Sequence, residues 1–249
     1  TILVTDSGLG GLNVAASLRQ QISQHKYSKK IKLIYFNSLP QKGYGYNSMD
    51  SFEEKVTVFN KAINSMAKNF MPDIILIACN TLSVVYEHTD FFKAPLTKVM
   101  GIVDIGVRLT LQEYNDNCKI VLFGTPTTIN GKAHKNLLLK AGVPINNIIE
   151  QPCKNLETEI QINASSSIVE DLISKYLNEA VPQPEPNVHY LFALCCTHYE
   201  FSIPLFNKCI GSKINSYKIL NPNELMVADA LNILPKHSPT SNPIEDLVV

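Results

Sequence analysis

Two cysteines stand in the same kind of sequence context and could act together as acid and base. Cys79 and Cys196 each end a run of apolar residues, and each precedes a pair of polar residues that includes a threonine. Removing an α-proton from one face of an amino acid and adding a proton to the opposite face needs one deprotonated and one protonated group. Two thiols at separate strand ends would supply this pair. A single cysteine in that position is more often a small buried hydrophobe, so the recurrence is what favours the acid–base interpretation.

Other polar residues also follow the predicted strands, where parallel α/β folds bind their ligands. Asp6 could hydrogen-bond a substrate amino group, exchange a proton with a thiol, or cap the helix that follows. His198 has an ordinary pKa suited to proton exchange with Cys196, although a structural histidine is the common alternative. The remaining candidates include hydroxyl, amide and backbone donors that suit a bound carboxylate, namely Ser7, Asn80, Thr81, Thr128 and Thr197. Tyr44 and Gly45, in the loop after the second strand, could hold a substrate or could simply form a turn.

Two other kinds of site fit the same residues less well. Cys195, Cys196 and His198 could bind a metal, but a further pair of ligands at a recognised spacing is absent, and neighbouring residues of a strand point to opposite faces. The glycines of residues 8–11 follow a strand, as in nucleotide-binding proteins, but their spacing is not G-x-G-x-x-G. We therefore expect neither a metal nor a cofactor.

Short apolar runs alternate with helical patterns along the chain, which is typical of a parallel α/β fold. Residues 50–70 place apolar side chains every three or four positions, as an amphipathic helix does. Prolines in residues 181–187 predict an extended loop. The predicted strands are residues 1–5, 31–36, 74–79, 98–103, 119–124, 188–196 and 217–220. Further helices are predicted at residues 12–24, 127–141, 166–178 and 224–231.

Composition indicates a globular protein with a small-molecule partner. The 249 residues include 22 basic and 22 acidic side chains, so the basic surface of a nucleic-acid-binding protein is not expected. The longest apolar runs are too short to span a membrane. Six cysteines scattered through a chain of this size indicate reduced thiols, and a cytoplasmic location is expected.

Six motifs of the chain, taken in order and spacing, resemble the glutamate racemase family of the wider aspartate/glutamate racemase superfamily. The similarity covers most of the chain. The motifs are TDSGLGGL at residues 5–12, Tyr44-Gly45 with Ser48, PDIILIACNT at 72–81, VMGIVD at 99–104, FGTPTT at 123–128 and CCTHY at 195–199.

The resemblance implies two pseudo-symmetric, doubly wound α/β domains with mainly parallel sheets and an active site between them. The first domain would comprise residues 1–97 plus 209–249, and the second residues 98–208. The implied activity is cofactor-independent conversion of L-glutamate to D-glutamate, which in a bacterium supplies peptidoglycan synthesis. Cys79 and Cys196 would be the two bases, Asp6 and His198 their proton-handling neighbours, and the five donors named above, together with Tyr44 and Gly45, the substrate ligands. The expected partners are an amino-acid substrate and a second copy of the chain in a homodimer.

The chain departs from the family pattern at several positions. Gly43 stands where a proline is usual, Cys195 where a glycine is frequent, and Asn130 and His134 where serine and tyrosine are common. The family has an acidic residue between the fifth and sixth of these strands, for which Glu157 and Glu159 are candidates. Racemisation of aspartate or another acidic amino acid, and binding of an amino acid without turnover, are therefore alternatives.

Overall fold

The chain forms two α/β units, each built on a parallel sheet. A computed structural model describes residues 1–24, 30–41, 43–234 and 245–248. Unit 1 comprises Thr1–Ile102 and Asn223–Val249, and unit 2 comprises Val103–Pro222. Every strand pairing in both sheets is parallel. The predicted fold class of two α/β domains with parallel sheets is thereby confirmed.

Strands and helices alternate through most of the chain. The strands are β1 (Ile2–Asp6), β2 (Lys32–Asn37), β3 (Ile74–Ile77), β4 (Lys98–Gly101), β5 (Cys118–Gly124), β6 (Ile148–Pro152), β7 (His189–Cys195), β8 (Tyr217–Leu220) and β9 (Glu245–Val248). The helices are α1 (Leu12–Gln24), α2 (Phe52–Phe70), α3 (Asn80–Tyr86), α4 (Asp90–Lys93), α5 (Ile102–Glu113), α6 (Pro126–Asn130), α7 (Ala133–Lys140), α8 (Leu156–Asn163), α9 (Ser167–Ala180), α10 (Ile203–Gly211) and α11 (Asn223–Ile233).

The two sheets share one strand order. In unit 1 the order is β4-β3-β1-β2, with β9 added beside β2, and in unit 2 it is β8-β7-β5-β6. In unit 1 the chain passes from β1 to β2 on one side and then crosses to β3 and β4 on the other side of β1. In unit 2 it passes from β5 to β6 and then crosses to β7 and β8 on the other side of β5. This reversal opens a crevice between β1 and β3, and between β5 and β7, at the carboxyl ends of the strands. Each crevice is where a ligand is expected to bind.

The core of unit 1 depends on the amphipathic pattern predicted for α2. The Ser51 hydroxyl caps this helix by accepting from the Glu54 backbone N–H, and Phe59, Ile63 and Met66 are fully buried along one face. They pack in one cluster with side chains of β1 and β3. The packing holds β3 against the rest of unit 1, and Cys79, two residues after the strand, belongs to the same cluster.

Unit 2 buries both faces of its sheet. Alternate residues of β7 enter different clusters, with Phe192 and Leu194 on one face and Leu191 and Ala193 on the other. The two cysteines at the end of the strand follow the same alternation. Cys195 belongs to the second face and Cys196 to the first, so these neighbouring residues point to opposite faces of the sheet, as predicted.

Several elements differ from those expected from the sequence. Strands β6 and β9 were not predicted, and the helix expected over residues 127–141 is divided into α6 and α7 at Lys132, whose φ of 58° interrupts the helix. Both unit boundaries lie later than expected, because β4 pairs with β3 and β8 pairs with β7. The terminal segment predicted for the first domain includes residues 235–244 and 249, which lie outside the described residues.

No helix in the described part of the chain is both long enough and apolar enough to cross a membrane.

A buried histidine links the stability of unit 2 to pH. His134 on α7 is 4% exposed, and burial lowers its pKa from 6.5 to about 4, against the opposing effect of the Glu150 carboxylate. The folded unit therefore keeps this imidazole neutral between those two values, whereas the unfolded chain protonates it. Fewer protons bound in the folded state mean that stability falls as pH drops below about 6.5.

We predict that His134→Gln reduces the loss of unfolding free energy on going from about pH 7 to about pH 5 by about 2 kcal/mol. Urea unfolding followed by circular dichroism at both pH values measures this. His88→Gln, at an exposed histidine, is the matched control and should leave the pH dependence unchanged. An equal acid sensitivity in the wild type and in His134→Gln would contradict the prediction.

Candidate active site

The crevice of unit 1 brings Ser7 and Cys79 together. Strands β1 and β3 pair with Thr5 opposite Ile77, and the Ala78 N–H continues the ladder by donating to the Thr5 carbonyl at 2.9 Å. The next residues of each strand are therefore neighbours as well. The Ser7 Oγ lies 3.2 Å from the Cys79 Sγ, although 72 residues separate them in the chain.

The environment of Cys79 strongly favours the protonated thiol. The residue is 6% exposed, and burial, followed by the negative charge of Asp6, raises the pKa of its thiol to about 12. Hydrogen bonds from the Ser7 hydroxyl and from the Leu82 backbone N–H, at 3.5 Å, act in the opposite direction. Cys79 thus holds a proton at neutral pH while keeping two donors that would stabilise a thiolate.

Asp6 is fully buried and held in place by the glycine-rich segment after β1. The Gly8 N–H donates to the Asp6 Oδ1 at 2.8 Å, and the Tyr35 hydroxyl fixes the same loop by donating to the Gly8 carbonyl at 2.6 Å. A Cβ placed at Gly11 would lie 2.7 Å from the Asp6 Cβ, which is too close for a side chain. The glycine therefore permits close packing against this aspartate.

The remaining predicted ligands of unit 1 fall in two places. Asn80 and Thr81 are buried in the first turn of α3, directly after Cys79. Tyr44 donates its hydroxyl to the Glu54 Oε1 at 3.1 Å, and Gly45 follows it before a 3₁₀ turn. Gly43, the departure noted before this pair, has a φ of 81°, a conformation that proline cannot adopt.

Tyr46 is a site candidate that sequence analysis missed. Its side chain is 2% exposed, and no hydrogen bond to its hydroxyl is found within the described part of the chain. Burial and then the charge of a Cys79 thiolate raise the pKa of the hydroxyl, so the tyrosine stays protonated. Its position two residues after Tyr44, in the same loop, was the available sequence signal.

The crevice of unit 2 places a histidine beside the second cysteine. Cys196 follows β7 directly and starts a 3₁₀ turn over Thr197–Ser202. The Cys196 Sγ lies 3.9 Å from the His198 Nδ1, and the opposite ring nitrogen of His198, Nε2, lies 3.0 Å from the Gln161 Oε1. Cys196 and His198 are both buried. These contacts form a chain from the Cys196 thiol through the His198 imidazole to the Gln161 amide.

The threonines expected to bind substrate in unit 2 are also buried. Thr125 caps α6, and its Oγ1 accepts from the Thr128 backbone N–H at 3.3 Å and lies 3.0 Å from the Thr128 hydroxyl. Thr197 is 3% exposed and begins the turn after Cys196. The pairing of Gly124 with Cys195 brings the ends of β5 and β7 side by side, so the three threonines belong to one crevice.

Gln161 is the side-chain partner of the His198 ring, and sequence analysis did not identify it. Glu157 and Glu159 were the candidates for an acidic residue here, but the side chain bonded to the His198 ring is an amide. The charge of Glu157 instead helps to raise the pKa values of Cys153 and Tyr199, mainly raised by burial. Gln161 follows Glu157 by four residues on α8, a helical spacing that would have suggested it, but no helix was predicted there.

Neither a disulfide nor a metal cluster is found among the described residues. All six cysteines are buried, and none forms a disulfide. No group of three or more histidine, cysteine, aspartate or glutamate side chains is suitably placed for a metal ion in residues 1–24, 30–41, 43–234 and 245–248. Cys195 and Cys196 point to opposite faces of the sheet, so they do not form a pair of ligands.

The charge of Asp6 gives a direct test of this electrostatic arrangement. We predict that Asp6→Asn lowers the pKa of the Cys79 thiol, because the amide removes the negative charge while retaining an oxygen that can accept from Gly8. Alkylation of Cys79 by iodoacetamide at mildly alkaline pH, followed by peptide mass spectrometry, should become several-fold faster, since one pKa unit changes the thiolate fraction about tenfold.

Asp73→Asn, at an exposed carboxylate of the same unit, is the matched control and should leave the alkylation rate unchanged. An Asp6→Asn rate equal to or below that of the wild type would show that Asp6 does not hold the thiol protonated.

Comparison with known proteins identifies relatives along nearly the whole chain. "Glutamate racemase 3" of Caldanaerobacter subterraneus is 27% identical over 227 residues, which cover 91% of this chain and 75% of the relative. The crystal structure of glutamate racemase from Francisella tularensis, in complex with D-glutamate, superposes with a TM-score of 0.76 at 23% identity, covering 99% of this chain and 87% of that chain.

A more distant structure shares the fold. The aspartate racemase of Picrophilus torridus gives a TM-score of 0.58 at 13% identity, covering 93% of this chain and 92% of that chain. No family model matches the sequence. The resemblance found from the motifs is nevertheless confirmed, because this chain is similar to curated glutamate racemases over 91% and 94% of its length.

Proposed function

We propose that this chain interconverts L- and D-glutamate without a cofactor, using Cys79 and Cys196 as the two acid/base groups. The observation that carries the proposal is that each unit has a cysteine within two residues of the end of the third strand of the same sheet topology, with Asp6 acting on the pKa of Cys79 and His198 in contact with Cys196. The relatives named glutamate racemases support this choice of substrate.

Substrate carboxylates would bind to the small donors near the two cysteines. Ser7, Asn80 and Thr81 supply hydroxyl and amide groups near Cys79, and Thr197 supplies a hydroxyl near Cys196. Thr128 and the Tyr44-Gly45 pair are further ligands in this scheme. Such donors are already ordered in the folded chain, so little free energy is spent on reorganising them as charge develops on the substrate.

In the proposed reaction Cys79 starts as a thiol and serves as the acid. Its raised pKa disfavours the thiolate by about 4 kcal/mol relative to an ordinary cysteine. Asp6 contributes to that penalty, so a substrate ammonium group bound beside Asp6 would offset part of it. Binding of the amino acid would thereby bring Cys79 closer to the pKa that a base requires, when the reaction runs in the opposite direction.

Cys196 would remove the α-proton as a thiolate after passing its own proton to His198. The 3.9 Å separation of the Cys196 Sγ and the His198 Nδ1 allows this exchange. When the reaction is reversed, His198 returns the proton and Cys196 acts as the acid. The two cysteines therefore exchange roles with the direction of the reaction, which is the requirement for converting each enantiomer into the other.

The two cysteines can be separated by their action on single enantiomers. We predict that Cys79→Ser and Cys196→Ser each lower the rate of racemisation at least about a hundredfold, because each variant lacks one positioned acid/base group. In deuterated water each variant should still exchange the α-proton of one enantiomer without inversion, and the two variants should act on different enantiomers. Proton NMR follows the exchange, and circular dichroism follows inversion.

Cys209→Ser is the matched control. The Cys209 thiol accepts from the Ser174 hydroxyl, so a serine fits its polar surroundings, and near-normal racemisation is expected. Near-normal racemisation by either site variant, or exchange of the same enantiomer by both, would refute the two-base scheme.

Wild-type protein in the same assay distinguishes the alternative activities. Exchange and inversion with L-aspartate but not with L-glutamate would identify aspartate as the substrate. Binding of an amino acid with no exchange of its α-proton would indicate a homologue that has lost turnover. The curated relatives named glutamate racemases favour glutamate as the first substrate to test.

Three further predictions accompany the proposed activity. They are a cytoplasmic location, a role in supplying D-glutamate for peptidoglycan synthesis, and assembly as a homodimer. Analytical ultracentrifugation tests the homodimer, and a sedimenting mass of about 55 kDa, twice the 27.7 kDa of one chain, is expected.

A further inference from the structure

We propose that Gln161 is the positioning residue that fixes His198 in the tautomer required by Cys196, and that the proton relay of this site ends at His198. The proposal rests on the proposed function, since it assigns a role within the same reaction. Neither the motifs nor the names of the relatives assign a role to this glutamine.

The contacts of the His198 ring define its tautomer. The Oε1 atom of Gln161 is an acceptor only, so the His198 Nε2, 3.0 Å away, donates its N–H to it. A neutral imidazole carries one N–H, and therefore Nδ1 holds a lone pair. That lone pair is on the nitrogen 3.9 Å from the Cys196 Sγ. The glutamine thus presents the basic nitrogen of the ring to the thiol.

The neutral amide limits where a proton can go. A carboxylate in this position would attract the imidazolium electrostatically and could accept its second proton, whereas an amide does neither. The proton that His198 takes from Cys196 is therefore not passed on to residue 161. Once Cys196 has also taken the α-proton, the two side chains hold one proton more than at the start, and His198 loses that proton to solvent before the next turnover in the same direction.

Gln161 is well placed for this role and can be replaced with little risk to folding. It is an exposed residue of α8, whereas His198 is buried, and 37 residues separate them in the chain. The hydroxyl of Ser202, in the same turn as His198, donates to the Ala164 carbonyl just after α8, so a second hydrogen bond joins this turn to the end of the helix. Loss of the glutamine oxygen therefore changes the ring and leaves the helix in place.

The first measurement is the tautomer of His198 by ¹⁵N NMR in protein without substrate, with its resonances assigned from a His198→Gln variant. Wild-type protein and Gln161→Glu, which keeps an acceptor oxygen, are expected to show the Nε2–H form. Gln161→Leu is expected to show a mixture of both tautomers. A single Nε2–H tautomer in Gln161→Leu would overturn the proposal, whatever reaction the protein catalyses.

The second measurement is the kinetics of racemisation. Gln161→Leu should lower kcat at least about tenfold with KM within about twofold, and Gln161→Glu should restore most of that loss. With α-deuterated substrates, the primary isotope effect of Gln161→Leu should rise for one enantiomer only, the one whose proton Cys196 removes. An isotope effect that rises equally for both enantiomers, or a change in KM alone, would also overturn the proposal.

Thr158→Ala, at another exposed position of α8, is the matched control and should leave the tautomer, kcat and the isotope effects at wild-type values. Wild-type protein that fails to racemise any acidic amino acid would reject the proposed function, and the NMR result would still decide the role of Gln161.

Discussion

The candidate site depends on a thiol that is buried beside a buried carboxylate. Parallel pairing of β1 and β3 forces Asp6 and Cys79 into one crevice, and Gly11 permits the close packing that keeps the aspartate there. Burial and charge both favour the thiol over the thiolate, and both raise its pKa to about 12. A group held protonated at neutral pH is available as an acid. In the proposed function, a substrate ammonium group bound beside Asp6 would offset the charge of this carboxylate and help the same thiol to act as a base.

The cysteine of the second crevice has a different kind of neighbour from the cysteine of the first. Unit 2 repeats the strand order of unit 1, and its cysteine follows the equivalent strand, but its neighbour is an imidazole in place of a carboxylate. A histidine can remove a proton from a thiol, whereas an anionic aspartate opposes thiolate formation. Two sheets of the same topology therefore carry chemically unequal thiols. A reaction that takes a proton from one face and gives a proton to the other needs one thiol and one thiolate at the start of each turnover, and in the proposed function the different neighbours of the two cysteines supply this difference.

The features that could be predicted from the sequence are those with a clear pattern in neighbouring residues. Cys79, Cys196 and His198 each lie within three residues of an apolar run, so the strand that positions them is visible in their own neighbourhood. The long helix α2 was found because its period is local as well. Strand β9 pairs with β2 from far along the chain, and β6 is an edge strand of mixed polarity, so neither has a strong local pattern. The later unit boundaries have the same cause, since strand pairing decides where β4 and β8 belong.

The contact between Gln161 and His198 shows why the acidic candidates were misleading. Glu157 and Glu159 were candidates because of their side-chain type. Which side chain reaches His198 depends instead on the direction in which each residue of α8 projects. Glu157 faces Cys153 and Tyr199, and the next residue on that side of the helix, one turn later, is Gln161. The oxygen that His198 needs is therefore supplied without a charge. Because the partner of the ring is an amide and not a carboxylate, an imidazolium formed in the proposed reaction would have no ion pair with residue 161 and would give up its proton more readily.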